Sequence, residues 1–177
     1  MRNQRINVCK FLIIVLCCAV FLTGCFIHLP EPLSKDEIET WFRENREDIT
    51  LVTKELLQLD CDTCFVTDAY DRVVDYENAW VPIDNQAFFP AVNRLCKAGC
   101  FRIAKQEGNT VQYTMSNKFG GVFSGLAYSP DYKVPNVQFL TECELIEGET
   151  EWYYYVDDYE KWRVSGTPAF HFGDDGQ

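Results

Sequence analysis

The sequence predicts an α+β domain, with an N-terminal amphipathic helix and a second, shorter helix packed on an antiparallel, mostly meander sheet of about five strands. Two observations carry this. Apolar residues recur at helical spacing in the first half of the chain, and from Cys100 onward the period falls to two, with short turns between runs. Strands that follow helices, rather than alternating with them, place the helices together on one face of a sheet.

The first helix has the sharpest start. Ser34-Lys35-Asp36-Glu37 is a capping box, in which each end residue can bond the other's backbone N–H, and Leu33 and Ile38 flank it as a hydrophobic staple. Ile38, Trp41, Phe42, Ile49, Val52, Leu56 and Leu59 then recur at helical spacing, with Arg43, Glu44, Arg46, Glu47 and Lys54 elsewhere on the surface. One helix is expected over 35–58. Asp60-Cys61-Asp62-Thr63-Cys64 ends it. Short extended pieces follow near Cys64–Thr67 and Arg72–Tyr76, with a turn at Asp68–Asp71. A second helix is expected over 85–98, capped by Asp84, tolerating Pro90 early and stopped by Gly99. Phe88, Val92, Leu95 and Cys96 form its inner face.

The strands come next. Phe101 and Ile103 alternate with Arg102 and Ala104. Glu107-Gly108-Asn109 turns into Val111, Tyr113 and Met115, which alternate with Thr110, Gln112, Thr114 and Ser116. Gly120-Gly121 opens a strand over Val122–Tyr128, and Pro130–Pro135 is a loop. Val137, Phe139, Thr141, Cys143 and Leu145 alternate with Gln138, Leu140, Glu142 and Glu144. Glu147-Gly148-Glu149 turns into a last strand, Glu151–Val156. The end of the chain, 165–177, is rich in Gly and Asp and is expected to be loose.

The N-terminus reads as an export signal. Arg2, Arg5 and Lys10 precede Phe11–Leu22, which is almost wholly apolar. Those twelve residues rise about 18 Å as a helix, short of the ~30 Å hydrocarbon core. Leu22-Thr23-Gly24-Cys25 resembles the lipobox of bacterial lipoproteins: Thr23 and Gly24 are small, leaving the Cys25 thiol open to alkylation. The resemblance implies cleavage before Cys25, a palmitate-type lipid on that residue and placement at the cell membrane, facing outside the cytoplasm. Residues 1–24 are then a signal peptide, 25–33 a tether, 34–164 a single domain and 165–177 a tail. The competing reading is an uncleaved anchor, since Phe11–Leu29 carries no formal charge and is long enough to span once.

Composition narrows the partners. Without residues 1–24 the chain keeps 13 of its 16 Lys and Arg against 27 Asp and Glu, a net charge of −14. Such an acidic protein is repelled by phosphate backbones and anionic headgroups, so no nucleic acid is expected and a lipid must supply the membrane attachment. A two-lobed solute receptor needs more chain than this. The blocks Gly125-Leu126-Ala127-Tyr128-Ser129-Pro130 and Glu151-Trp152-Tyr153-Tyr154-Tyr155 through Trp162-Arg163 are similar to the ends of small uncharacterised proteins of Gram-positive bacteria. That resemblance implies no activity.

Chemistry-bearing residues are few. Cys61, Cys64, Cys96, Cys100 and Cys143 lie beyond Cys25; disulfides or buried thiols are expected in an exported domain, with a four-thiolate zinc site or a redox pair as alternatives. Cys143 reads as a buried free thiol. His28 adjoins the anchor, and His171 sits alone in the tail. Asp157, Asp158 and Glu160 form a solvated turn rather than a calcium loop, lacking the alternating ligands and turn Gly. No cofactor or metal is expected. Alternation puts Trp152, Tyr154 and Val156 on one sheet face and Tyr153 and Tyr155 on the other. Tyr153, Tyr155, Tyr159 and Trp162 are therefore the candidate contact patch for an envelope protein or glycan, against a plainer reading in which the tail folds over its own sheet. The expected function is a binding or protective module at the envelope. The alternative is an envelope hydrolase using carboxylates or His171.

Overall fold

The computed structural model describes residues 32–66, 71–115, 121–130 and 133–170. The signal segment with Cys25 and His28, most of the tether, the Asp68 end of the turn at 68–71, and the end of the tail with His171 lie outside those residues. Among the described residues no helix is long and apolar enough to cross a membrane. The architecture is α+β; the described residues form four helices and one eight-stranded antiparallel sheet, so the sequence reading understates both counts.

The capping box forms as read. The Ser34 hydroxyl accepts from the backbone N–H of Glu37, the Glu37 carboxylate accepts from the Ser34 N–H at 2.8 Å, and helix α1 runs Lys35–Glu44. The Ser34 N–H foremost, and the Ser34 hydroxyl donating to the same carboxylate, hold the Glu37 carboxyl below its ordinary pKa. Ser34→Ala is expected to lower stability by about 1 kcal/mol at neutral pH in urea denaturation. A carboxyl whose folded pKa is depressed stabilises the fold above its unfolded pKa and loses that effect as pH falls through the lowered value. The gap between mutant and wild type should therefore shrink in acid, below about pH 4.

The single expected helix over 35–58 is two. Asn45 leaves the helical region (φ −114°, ψ 14°), and its side-chain amide and its backbone N–H both donate to the Trp41 carbonyl, at 2.9 and 3.1 Å. Helix α2 then runs Arg46–Leu57. The apolar stripe continues across the break, with Ile38, Trp41, Phe42, Ile49, Val52 and Leu56 all buried. Helix α3 is Phe88–Lys97, shorter than read. Asp84 is not its cap: Ala87 occupies the cap position without a side-chain bond, and Asn85 instead accepts from the Ala87 N–H. Gly99, at φ +106°, ends it in a conformation that favours glycine. Cys96 is only half-buried, whereas Phe88, Ala91, Val92 and Leu95 make the inner face. Arg94 on α3 holds Asp48 on α2 through two bonds of 2.6 and 2.8 Å.

The strands are β1 Cys64–Val66, β2 Val73–Asp75, β3 Trp80–Val81, β4 Cys100–Gln106, β5 Thr110–Met115, β6 Val122–Tyr128, β7 Leu140–Leu145 and β8 Trp152–Asp158. Their spatial order is β3-β2-β1-β4-β5-β6-β8-β7. The meander fails at its end: β8 inserts between β6 and β7 and pairs with both. The chain from β6 must therefore cross the sheet to reach the edge position, and the hairpin after β7 brings β8 back into the gap. A bulge between Cys100 and Arg102 also breaks the alternation, so Cys100 and Ile103 are buried while Phe101 is half-exposed.

One face of the sheet carries α1–α3. There Ile103, Val111, Tyr113, Met115, Leu126, Trp152, Tyr154 and Val156 join the helix residues in the main core. The Tyr113 hydroxyl bridges Thr53 at 2.7 Å and the Ile49 carbonyl at 3.0 Å, pinning α2 to β5. Glu39, buried on α1, accepts from the Glu147 N–H and pairs with Arg43, tying the β7–β8 turn to the helix layer. The other face has its own smaller core: Ala127, Val137, Leu140, Cys143, Tyr153 and Tyr155, with Leu145 and Phe170 against it. A fourth helix, α4 Tyr159–Ser165, starts at Asp158, whose carboxylate accepts from the Lys161 N–H.

Candidate functional site

The second face is covered only in part. The segment after β6 lays Val137 over Ala127 and Tyr153, and there Asn136 bonds β5: its N–H donates to Thr110, and its carbonyl accepts from the Gln112 side chain. Among the described residues, nothing beyond Asn136 covers β4 and β5. The result is a cleft of about 750 Å³, bounded by the β4–β5 hairpin, the start of β1, the β2–β3 turn and residues 136–138.

Its chemistry follows from strand parity. Arg102 and Gln106 stand on β4 opposite in parity to the core residue Ile103, and Gln112 stands between the core residues Val111 and Tyr113 on β5. Asn136 and Gln138 come from the crossing segment. Four amide side chains thus face one cavity, each able to donate and accept. Carboxylates ring them: Asp62, Asp75, Glu77, Glu107 and Asp157. Asp75 is committed to its turn, accepting from the N–H groups of Glu77 and Ala79 at 2.9 and 2.8 Å. Asp157 is half-buried, and burial raises its carboxyl pKa, opposed by the nearby Arg102 guanidinium. Tyr76, 84% exposed, contributes an open ring at the rim.

The expected contact patch is different in the structure. Tyr153 and Tyr155 have exposures of 0% and 1%, because the crossing segment and β7 close over them. They are core residues and offer no surface. Their cover comes from the segment after β6 and from β7 rather than from the tail of the plainer reading, of which Phe170 packs against this core. Tyr159 and Trp162 lie on α4 and pack around Phe139, with ring centroids 5.0 and 5.2 Å away. Asp157, Asp158 and Glu160 also separate: the first lines the cleft, the second caps α4, and the third pairs with Arg163.

No disulfide joins any of the five described cysteines. Cys64 on β1 stands opposite Lys105, five residues along β4 from Cys100, or about 16 Å at ~3.3 Å per residue. Sulfurs on one zinc lie within ~5 Å of each other, so the four-thiolate site is not formed. Among the described residues no three metal-ligating side chains cluster. Lys105 is buried on the helix side, its ammonium donating to the Leu59 carbonyl at 2.9 Å, just beyond the C-terminus of α2.

Sequence reasoning did not single out Arg102, Gln106, Gln112, Asn136 or Gln138. The available signal was the polar half of each period-two run, which marks a sheet face left uncovered by helices. The chain matches no protein-family model, no curated protein and no solved structure.

Proposed function

We propose that the chain is a lipid-anchored, extracytoplasmic binding module that takes an uncharged, hydroxyl-rich ligand, such as a segment of envelope glycan, in the cleft on the open sheet face. The observation that carries this reading is the lining: four amides beside carboxylates and an exposed tyrosine ring. Sugar hydroxyls donate and accept at once, as amides do, and a pyranose lays its C–H face on an aromatic ring. Among the described lining residues five carboxylates stand against one cation, Arg102, which disfavours anionic ligands. The lipobox-like Leu22-Thr23-Gly24-Cys25 supports the anchor. Two acyl chains on one residue hold a protein at a bilayer where one chain does not.

Two experiments test the two halves. With Cys25→Ser, fatty-acid labelling of the chain in a bacterial host should vanish and the precursor should remain uncleaved; labelling equal to wild type rules out the anchor. For the cleft, calorimetric titration with an N-acetylglucosamine tetramer and with maltotetraose should show binding of at least one. Gln112→Ala and Tyr76→Ala should each weaken it at least tenfold, about 1.4 kcal/mol. Tyr76 is exposed, so its loss should move stability by no more than about 0.5 kcal/mol. No binding of either oligosaccharide overturns the glycan reading.

The hydrolase reading keeps one supporting observation: burial in the cleft raises the Asp157 carboxyl above its ordinary pKa, the direction a general acid needs. Reducing-end release from the same oligosaccharides, abolished by Asp157→Asn, would favour it over simple binding.

A further inference from the structure

We propose that Cys61–Cys64 and Cys96–Cys100 close as two nearest-neighbour disulfide staples, one at the rim of the cleft and one where α3 turns into β4, leaving Cys143 as a free thiol. The functional setting rests on the extracytoplasmic reading, where oxidation persists; the pairing rests on geometry alone.

Among the described cysteines the fold leaves only these partners. Cys61 and Cys64 stand three residues apart across the bend that leads into β1, close enough for the Cys61 thiol to raise the Cys64 pKa. Cys96 and Cys100 flank a tight turn closed by the Gly99 N–H donating to the Cys96 carbonyl at 3.1 Å, and Gly99 at φ +106° folds the chain back. A bridge needs α-carbons roughly 4.4–6.8 Å apart, the span of such turns. Crossed pairing between the two turns fails, because β4 separates them by about 16 Å. Cys143 is on β7, four strand places from β4 and in the core of the opposite face. At ~4.8 Å per strand that is about 19 Å.

Each pair joins an accessible sulfur to a buried one. Cys61 and Cys96 are half-buried; Cys64 and Cys100 are buried. A small-molecule disulfide such as oxidised glutathione therefore reacts first at Cys61 or Cys96. The thiolate attacks one glutathione sulfur, the glutathione S–S bond breaks, and a mixed disulfide forms with release of one glutathione thiol. Cys64 or Cys100 then attacks the protein-side sulfur and expels the second glutathione. One protein S–S bond is gained for one glutathione S–S bond lost. Two electrons pass to glutathione, and the two cysteine protons end on its two thiols. Burial raises the thiol pKa of Cys64 to about 12 and that of Cys100 well above its ordinary value. The closing step should then be slow near neutral pH and speed up as pH rises. At the rim, the first staple fixes Asp62 and Thr63, which line the cleft.

The test uses the full chain in detergent, equilibrated with oxidised and reduced glutathione, quenched in acid, alkylated and digested with trypsin. The peptide 55–72 should be lighter by two hydrogens and unalkylated, 95–97 should be joined to 98–102, and the peptide 134–161 with Cys143 should be alkylated. Alkylation of all five cysteines, or any link between the two turns or to Cys143, overturns the pairing. In Cys61→Ser the 95–97 to 98–102 link should persist and only Cys64 should become alkylated. Loss of both links in that variant argues against independent staples. Free thiols here would leave the anchor reading standing, and staples found in a chain that takes no lipid would remove the anchor alone.

Discussion

Replacing Tyr153 and Tyr155 together with serine should leave the protein largely unfolded at room temperature. Both rings are fully enclosed between the sheet and the segment that crosses it, against Ala127, Val137, Leu140 and Cys143. The Tyr155 hydroxyl is bonded to Thr114 at 2.9 Å, and burial raises its pKa above the ordinary tyrosine range, so it stays neutral at any working pH. The fit below it is tight: a Cβ built on Gly125 would lie 2.8 Å from the Tyr155 hydroxyl and would also meet the Tyr113 carbonyl. Removing one buried aromatic side chain costs about 3–5 kcal/mol through lost transfer energy and the cavity left behind. Two neighbours together exceed about 6 kcal/mol, which matches or surpasses the whole stability of many domains at ~5–15 kcal/mol. Circular dichroism should show no cooperative melt above room temperature, whereas Tyr159→Ser, at an exposed helix position, should melt close to wild type. A double mutant melting within a few degrees of wild type would return these tyrosines to the surface, as the contact-patch reading supposed.

What was readable in the sequence follows the range of the interaction responsible. The capping box at Ser34 and Glu37, the turn at Gly108 and the turn at Gly148 depend on neighbours within a few residues, and all stand where they were read. The break at Asn45 was hidden because the apolar stripe runs straight through it; its backbone angles and the bond of its side chain to the Trp41 carbonyl mark it. Strand parity placed Tyr153 and Tyr155 on the face opposite Trp152 and Tyr154, correctly. Parity is silent, however, on what covers a face. That depends on β8 entering between β6 and β7, a non-local pairing that forces the preceding segment across the sheet. The same event builds the cleft, because Asn136 and Gln138 belong to that segment while Arg102 and Gln112 belong to strands near them only in space. A site made by a crossover has no motif. Its residues are spread from Cys61 to Asp157 and carry no spacing that periodicity could reveal.

Trp41→Ala should be the most damaging single change in the helix layer, at about 3–5 kcal/mol. The indole is buried, 6.3 Å from the Tyr113 ring, and its N–H donates to the Ala98 carbonyl at 3.0 Å. That bond satisfies a carbonyl at the open end of α3, so one side chain of α1 joins the end of a second helix to the centre of the sheet. The mutation therefore leaves a cavity and strands a polar group together. Trp41→Phe separates the two effects: it restores most of the volume without the N–H, and should recover all but about 1–3 kcal/mol, the cost of the unpaired carbonyl. The loss should also spread, since Tyr113 holds α2 through Thr53 and Ile49 and would lose its neighbour on the α1 side. Amide exchange at β5 should then accelerate along with that of α1 and α3. If Trp41→Ala keeps the wild-type melting temperature, or if exchange rises in α1 alone, the helix layer is not docked on the sheet through this residue.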